Sequence, residues 1–284
     1  MSQKVGVLGP EGTFSERAAR KRYPEAELRY YGDFEDVLAA VEQGEVEVGV
    51  VPLENSLEGT VGQTLDALLR YDVKIAGEVN VLVRHCLIGR GKPQDVKIVL
   101  SHPQALAQCR RYLKRRYPHV EIRTTGSTSH AVRLAQEFPE MAAIAGEKAA
   151  ASCGLTIMDR DIQDSEENVT RFAVVGQKIP PPTGTDKTSL AIYLERTEFG
   201  ALWEILGEFA MRGINLTKIE SRPSRRGLGD YYFFIDLEGH ISEENVGEAI
   251  SRIKKKSVST KVLGSYPRAT SPRAMGWGES EYRV

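Results

Sequence analysis

VEVGVVPLENSLEGTV, residues 46–61, decides how the first half of the chain is read. Val46 to Val51 is a short apolar, β-branched run with the composition of a buried strand. It passes without a spacer into Pro52-Leu-Glu-Asn-Ser-Leu-Glu-Gly-Thr60. From Val61 the apolar positions Val61, Leu65, Leu68 and Leu69 then fall at helical spacing. A strand handing over to a helix is the repeating unit of α/β folds, and ligands of open α/β sheets bind beyond the carboxyl ends of strands. Glu54, Asn55 and Ser56 lie at that place. Thr60 can cap the following helix by itself, so capping leaves these three polar residues unexplained.

The alternation extends in both directions. Val5 to Leu8 reads as a strand, followed by a helix from near Ser15, and Phe34, Val37, Leu38 and Val41 mark a second helical face. Further on come a strand at 98–100, a helix at 105–116, a strand at 120–124, a helix at 129–137, and a strand at 142–145 leading into a helix near Glu147. Such repetition predicts an α/β fold with parallel sheets and helices on both faces. KIPPPTGTDK, residues 178–187, carries three consecutive prolines and reads as a linker. Beyond it, strands at 189–194, 214–220, 231–237 and 260–263 alternate with helices carrying Phe199, Leu202, Ile205, Leu206 and Phe209, and then Val246 to Ile253. The order β-α-β-β-α-β is ferredoxin-like. Three parts are therefore expected: 3–178, 187–266, and a poorly ordered tail at 267–284.

Composition narrows the function classes. The chain has 284 residues, 41% hydrophobic and 27% charged, which is ordinary for a globular protein. A net charge of −1 gives no global field to draw nucleic acid or an anionic membrane. The basic face Arg110, Arg111, Lys114, Arg115 and Arg116 has few aromatics beside it and reads as a solvated helix surface. The N-terminus lacks the basic and apolar regions of a signal peptide. The run from Val79 to Ile88, broken by Asn80, Arg84 and His85, is too short to span a bilayer. Cys86, Cys109 and Cys153 are scattered and odd in number, which points to reduced thiols in a cytoplasmic protein, without disulfide or zinc spacing.

Four more polar segments adjoin expected strands. Gly9-Pro-Glu-Gly-Thr-Phe-Ser15 reads alone as a strand-to-helix turn capped by Ser15, although its backbone N–H groups also suit an anion. In Ser101-His-Pro-Gln104, Ser101 suits a cap, Pro103 suits a first helical turn, and His102 reads equally as a general acid or an ordinary hydrogen-bonded histidine. Gln104 and Gln108 are one turn apart and can share a face. Gly126 to Ser129 is a helix start whose hydroxyls Ser127, Thr128 and Ser129 also suit a carboxylate. Asn168-Val-Thr-Arg-Phe172 reads in isolation as a half-exposed strand with alternating faces.

Together, GPEGTFSE (9–16), PLENSLEGTV (52–61), SHPQALAQC (101–109), STS (127–129) and NVTRF (168–172) resemble the prephenate dehydratase domain in order and spacing. GALWEIL (200–206) and LTKIESRP (216–223) resemble the regulatory ACT domain attached to such enzymes. The resemblance covers residues 3–266. It departs at Cys153, where an aromatic is usual, and at Ala173, where a larger aliphatic is usual; both read as packing changes. It implies a two-lobed, periplasmic-binding-protein-like catalytic domain with a cleft, followed by the ACT domain.

The implied activity is conversion of prephenate to phenylpyruvate, CO2 and water in L-phenylalanine biosynthesis, with no metal or organic cofactor. The resemblance makes Thr170 the catalytic residue and lines the site with Asn55, Ser101 and Gln108. Around them the substrate set is completed by Glu54, Ser56, Ser127, Thr128, Ser129, Arg171 and Phe172. Arg171 is expected to clamp one prephenate carboxylate, while the 127–129 hydroxyls and N–H groups near Gly12 hold the other. Glu54 would repel a dianion and is expected to orient neighbours. Feedback by L-phenylalanine is expected at Gly200, Ala201, Leu202, Asn215, Leu216, Glu220, Ser221, Arg222 and Pro223, within dimers or tetramers. The alternative is a non-catalytic two-lobed binding protein with a sensing domain. The lack of a signal peptide and of a DNA-reading module counts against it.

Overall fold

The computed structural model describes residues 2–194, 199–225, 227 and 229–269. The chain begins β1 (Lys4–Leu8), α1 (Phe14–Arg22), β2 (Glu27–Tyr31), α2 (Phe34–Glu42), β3 (Val48–Asn55), the short β4 (Gly59–Thr60), α3 (Gly62–Arg70) and β5 (Lys74–Leu82). It crosses to a second lobe made of β6 (Cys86–Gly89), β7 (Ile98–Ser101), α4 (Pro103–Gln108), α5 (Arg110–Arg116), β8 (Glu121–Thr124), α6 (Thr128–Glu137), β9 (Met141–Ala145), α7 (Glu147–Ser152) and β10 (Thr156–Asp159). It then returns as β11 (Val169–Gly176). The rest is β12 (Asp186–Tyr193), α8 (Ala201–Ala210), β13 (Leu216–Pro223), β14 (Tyr231–Glu238), α9 (Glu244–Lys256) and β15 (Ser259–Pro267).

Both sheets are mixed, not parallel throughout. β1 pairs parallel with β2 and β3, but β11 lies antiparallel between β3 and β5. In the second lobe β7 pairs parallel with β8 and β9, whereas β6 runs antiparallel to β9 and β10. The reason is the double crossing. A chain that leaves the first lobe at the end of β5 and returns through the same hinge enters β11 at that same end, with Val169 opposite Leu82, so β11 runs antiparallel to its neighbours. Two α/β lobes joined by two crossing segments are the periplasmic-binding-protein-like arrangement.

The last part is ferredoxin-like, with strand order β13-β14-β12-β15. One sheet face is covered by α8 and α9 through Leu190, Ile192, Ile235, Phe209 and Ile253. The other face shares a core with the first lobe, where Ala191, Phe234, Leu263 and Tyr266 pack with Leu38, Leu65, Leu68 and Ile75. β15 meets β5 at Gly264 and Ile75. A Cβ on Gly264 would stand 2.2 Å from the Ile75 carbonyl oxygen, so only glycine permits this approach.

Several local expectations change. Thr13, not Ser15, caps α1, its hydroxyl accepting from Glu16 N–H. Val61, not Thr60, precedes α3 and makes no side-chain cap. The helix expected over 105–116 breaks at Cys109, because the Asp164 carboxylate accepts from Arg111 and Tyr112 N–H and starts a separate α5. β2, β4, β5, β6 and β10 were not anticipated. Residues 221–223 continue strand β13 beyond the expected end at 220. The tail is ordered through its first residues, with Arg268 N–H donating to Thr185 O and Ala269 N–H to Glu78; the remainder lies outside the described residues. Cys86, Cys109 and Cys153 are free, and burial raises the thiol pKa values of the first two. Among the described residues no helix is long and apolar enough to cross a membrane.

Candidate active site

The two crossings between lobes, residues 83–85 and 160–168, run side by side. Val83 N–H donates to Asn168 O at 2.7 Å and Ile162 N–H to His85 O at 3.0 Å. The ends of β3 and β11 open onto this hinge, and there the structure brings Asn55, Gln108 and Thr170 together. Asn55 Nδ2 donates to Thr170 Oγ1 at 2.9 Å and to Asn168 Oδ1 at 2.7 Å. Asn168 Nδ2 donates to Gln108 Oε1 at 2.8 Å, and His85 Nε2 lies 2.8 Å from the same oxygen. Ser56 flanks the cluster, donating to Glu167 O and accepting from Val169 N–H. All five cluster side chains are buried, Asn168 completely. Asn168 and His85 are absent from the expected site. Asn168 lay within the NVTRF segment that signalled it, whereas His85 sits in an apolar run with no local sign of a role.

Other expected residues lie elsewhere. β11 is a strand, so Thr170 and Arg171 point to opposite faces. The Arg171 guanidinium turns away from the hinge to Glu78 (3.2 Å), Asp236 (2.9 Å) and Glu54 (3.1 Å). It is therefore not a clamp for a carboxylate beside Thr170. Burial opposes its charge, but Asp236, Glu78 and Glu54 hold its pKa above the ordinary value. Glu54 sits on this far side too, also paired with Lys218. Arg171, Lys218, Ser189 and Asp236 line a small cavity between the first lobe and the ferredoxin-like unit. Phe172 packs in the first lobe's core with Val5, Val50 and Val79.

Ser101 spends its proton on Ile144 O at 2.6 Å, tying β7 to β9. His102 caps α4, its Nδ1 accepting from Gln104 N–H, and Gln104 is exposed while Gln108 is buried. Ser127 caps α6 by accepting from His130 N–H. Thr128 follows it, half-buried, and Ser129 Oγ reaches across the lobes to Glu11 O at 3.5 Å. Gly12 N–H donates to Glu16 Oε2 at 2.6 Å and is not free for a ligand.

The expected effector residues divide by position. Gly200, at φ +78°, begins α8, whose first helical residues are Ala201 and Leu202, while Asn215 and Leu216 follow its far end. Ten helical residues separate these ends by about 15 Å, so one subunit alone does not bring both to one small ligand. Glu220 and Arg222 both reach the first lobe. Glu220 accepts from Thr60 Oγ1, and Arg222 pairs with Asp66 of α3 at 3.2 Å. Ser221 and Pro223 alternate with them and are exposed. β13 is an edge strand of the sheet.

Among the described residues, no cluster of three or more His, Cys, Asp or Glu side chains could hold a metal ion. The cluster at the hinge is instead an amide and hydroxyl array, able to orient a polar substrate and donate one hydrogen bond.

Comparison with known proteins adds to this. The family model described as prephenate dehydratase matches residues 5–180, and the ACT domain model matches residues 188–255. A bifunctional chorismate mutase/prephenate dehydratase from Aquifex aeolicus is 44% identical over 268 residues, covering 94% of this chain and 74% of that protein. A prephenate dehydratase from Methanocaldococcus jannaschii is 39% identical, covering 94% of this chain and 99% of that protein. A crystal structure of prephenate dehydratase from Arthrobacter aurescens in complex with L-Phe has a TM-score of 0.87 and 35% identity, covering 95% of this chain and 94% of that one.

Proposed function

The chain belongs to the prephenate dehydratase family, and we propose that the Thr170 hydroxyl carries the step for which the family is named. Prephenate holds a ring carboxylate, a pyruvyl carboxylate and a ring hydroxyl. The electrons of the bond to the ring carboxylate move into the ring as CO2 departs. The hydroxyl leaves with a proton as water, and aromatisation drives the loss. The enzyme has to orient a dianion and help a poor leaving group depart.

The observation that carries the assignment is the direction of the Asn55–Thr170 hydrogen bond. Asn55 Nδ2 is the donor, and among the described residues no acceptor takes the Thr170 hydroxyl proton. That proton is available to the departing oxygen. A threonine hydroxyl is a weak acid, so it works by placement. With Arg171 turned away and Gly12 N–H occupied, the start of α6 at Thr128 and Ser129 is the better seat for a carboxylate.

The regulatory half of the reading is feedback by L-phenylalanine, one transamination beyond phenylpyruvate. The L-Phe complex of the Arthrobacter aurescens protein supports it. Antiparallel pairing of two β13 edges would set the Asn215 end of one copy against the Gly200 end of the other and assemble what one subunit keeps apart. Exposed Trp203 on α8 and Ile219 on β13 suit such self-association. Free cysteines suit the cytoplasm. The test has two arms: phenylpyruvate formation from prephenate by the full chain and its Thr170→Ala variant, and calorimetry with millimolar L-phenylalanine. Near-normal turnover by a folded alanine variant removes the catalytic assignment. Absence of heat removes the regulatory one alone.

A further inference from the structure

His85 is 2% exposed, and no motif marks it. Its backbone is pinned on both sides, N–H to Gln163 Oε1 and carbonyl to Ile162 N–H, and its ring meets Phe14 edge-on at 5.9 Å. Among the described residues its Nδ1 is buried without a partner, while Nε2 contacts Gln108. A buried histidine with one nitrogen satisfied and one bare is a costly arrangement unless that nitrogen is held for a purpose.

The polarity of the cluster can be read from its other end. Leu57 and Glu58 N–H both point at one atom of the Asn55 amide, at 2.9 and 3.0 Å. Backbone N–H groups only donate, so that atom is Oδ1, and Nδ2 must face Asn168 and Thr170. The Asn168 atom facing Asn55 is then its oxygen, and its nitrogen faces Gln108. The Gln108 atom that receives Asn168 is therefore Oε1, and it also faces His85. An oxygen there requires a proton on His85 Nε2. Burial lowers the His85 pKa, which favours the neutral ring, so Nδ1 keeps a lone pair.

We propose that His85 is a positioning residue for the dehydration: as the neutral Nε2–H tautomer it holds Gln108, and through Asn168 it braces the Asn55 amide that keeps the Thr170 hydroxyl an acceptor within the protein and a donor toward substrate. The inference rests on Thr170 as the donor. Without the His85 donor, Gln108 keeps Asn168 and a 3.4 Å contact from its Nε2 to Glu58, so it can drift toward a flip and loosen its grip on Asn168 behind Thr170. The Asn55 anchor at the backbone opposes that flip, so the loss falls on precision and not on folding.

Two measurements test it. Nitrogen-15 NMR of the folded wild-type protein, assigned through the signal lost in His85→Gln, is expected to show a proton on Nε2 and none on Nδ1. A proton on Nδ1 alone, or on both nitrogens at neutral pH, overturns the proposal whatever Thr170 does. In steady-state turnover, His85→Leu is expected to lower kcat by about 10²-fold, the scale of a misplaced reacting group, with KM for prephenate little changed. His85→Gln, which keeps an amide donor near Nε2, is expected to recover much of it. Unchanged kcat in His85→Leu, or equal loss in both variants, overturns the positioning role. Failure of Thr170→Ala to lose activity would instead remove the reading of Thr170, so the two failures are distinguishable.

Discussion

Replacing Arg171 by leucine strips three acids on three strands of a shared cation. Glu54 of β3, Glu78 of β5 and Asp236 of β14 all lie within 3.2 Å of its guanidinium. The Arg171, Glu78 and Asp236 side chains are 13%, 4% and 10% exposed, so solvent screens little. At about 3 Å and an effective dielectric near 20, each contact is worth roughly 5–6 kcal/mol before desolvation, which cancels most of it. The asymmetry decides the outcome. Glu78 keeps Lys187 and Glu54 keeps Lys218, but among the described residues Asp236 keeps only the Ser189 hydroxyl, at 2.6 Å. A buried carboxylate left without its cation costs about 3–5 kcal/mol. For a chain of this size that is a drop of roughly 10 °C in Tm. Calorimetric unfolding at pH 7 reads the loss. Adding Asp236→Asn is expected to restore part of the stability. A loss under about 1 kcal/mol, or one that Asp236→Asn does not relieve, refutes the reasoning.

Other outcomes follow from the same contacts. Burial keeps His85 below its ordinary value of 6.5, so the unfolded chain takes up a proton first and stability falls as pH drops below that value; His85→Gln is expected to flatten the slope of unfolding free energy between pH 7 and 5, and an unchanged slope contradicts this. A chain ending at Lys178 exposes the core that Leu65, Leu68 and Ile75 share with Phe234, Leu263 and Tyr266. Light scattering should find it aggregation-prone, and it should lose any L-phenylalanine response; a stable truncated chain contradicts the shared core. A Cβ at Gly62 would stand 2.2 Å from an Arg222 nitrogen, the movable end of a long side chain, so Gly62→Ala is expected to push Arg222 off Asp66 with little loss of stability and to weaken L-phenylalanine inhibition. Unaltered inhibition in that variant would show that Arg222 does not link the units.

Strand–helix alternation made the two lobes legible, because buried strands such as Val48–Val51 and helices such as α2 carry strong periodicity. β2, with the sequence ELRYY and no buried residue, has no such signal. The antiparallel place of β11 was hidden for another reason: its partners lie about a hundred residues away, and no local pattern records which way a returning strand enters. Cys109 broke a helix because Asp164, far along the chain, supplied a cap.

The direction of Arg171 was readable. Adjacent residues of a strand face opposite sides, so a clamp beside Thr170 was already at odds with the strand reading. His85 was not readable. Its role depends on three amides converging from β3, α4 and the second crossing. The separation of Gly200 from Asn215 follows from the length of α8.

Turnover of prephenate by Thr170→Val and Thr170→Ser, measured at saturating substrate on folded protein, tests the central claim most directly. Valine keeps the shape and the β-branch but removes the hydroxyl, while serine keeps the hydroxyl. The account predicts that kcat falls by roughly 10²–10³ in the valine variant, the usual cost of one preorganised donor, and far less in the serine variant. A valine variant that forms phenylpyruvate at near wild-type rate would contradict it.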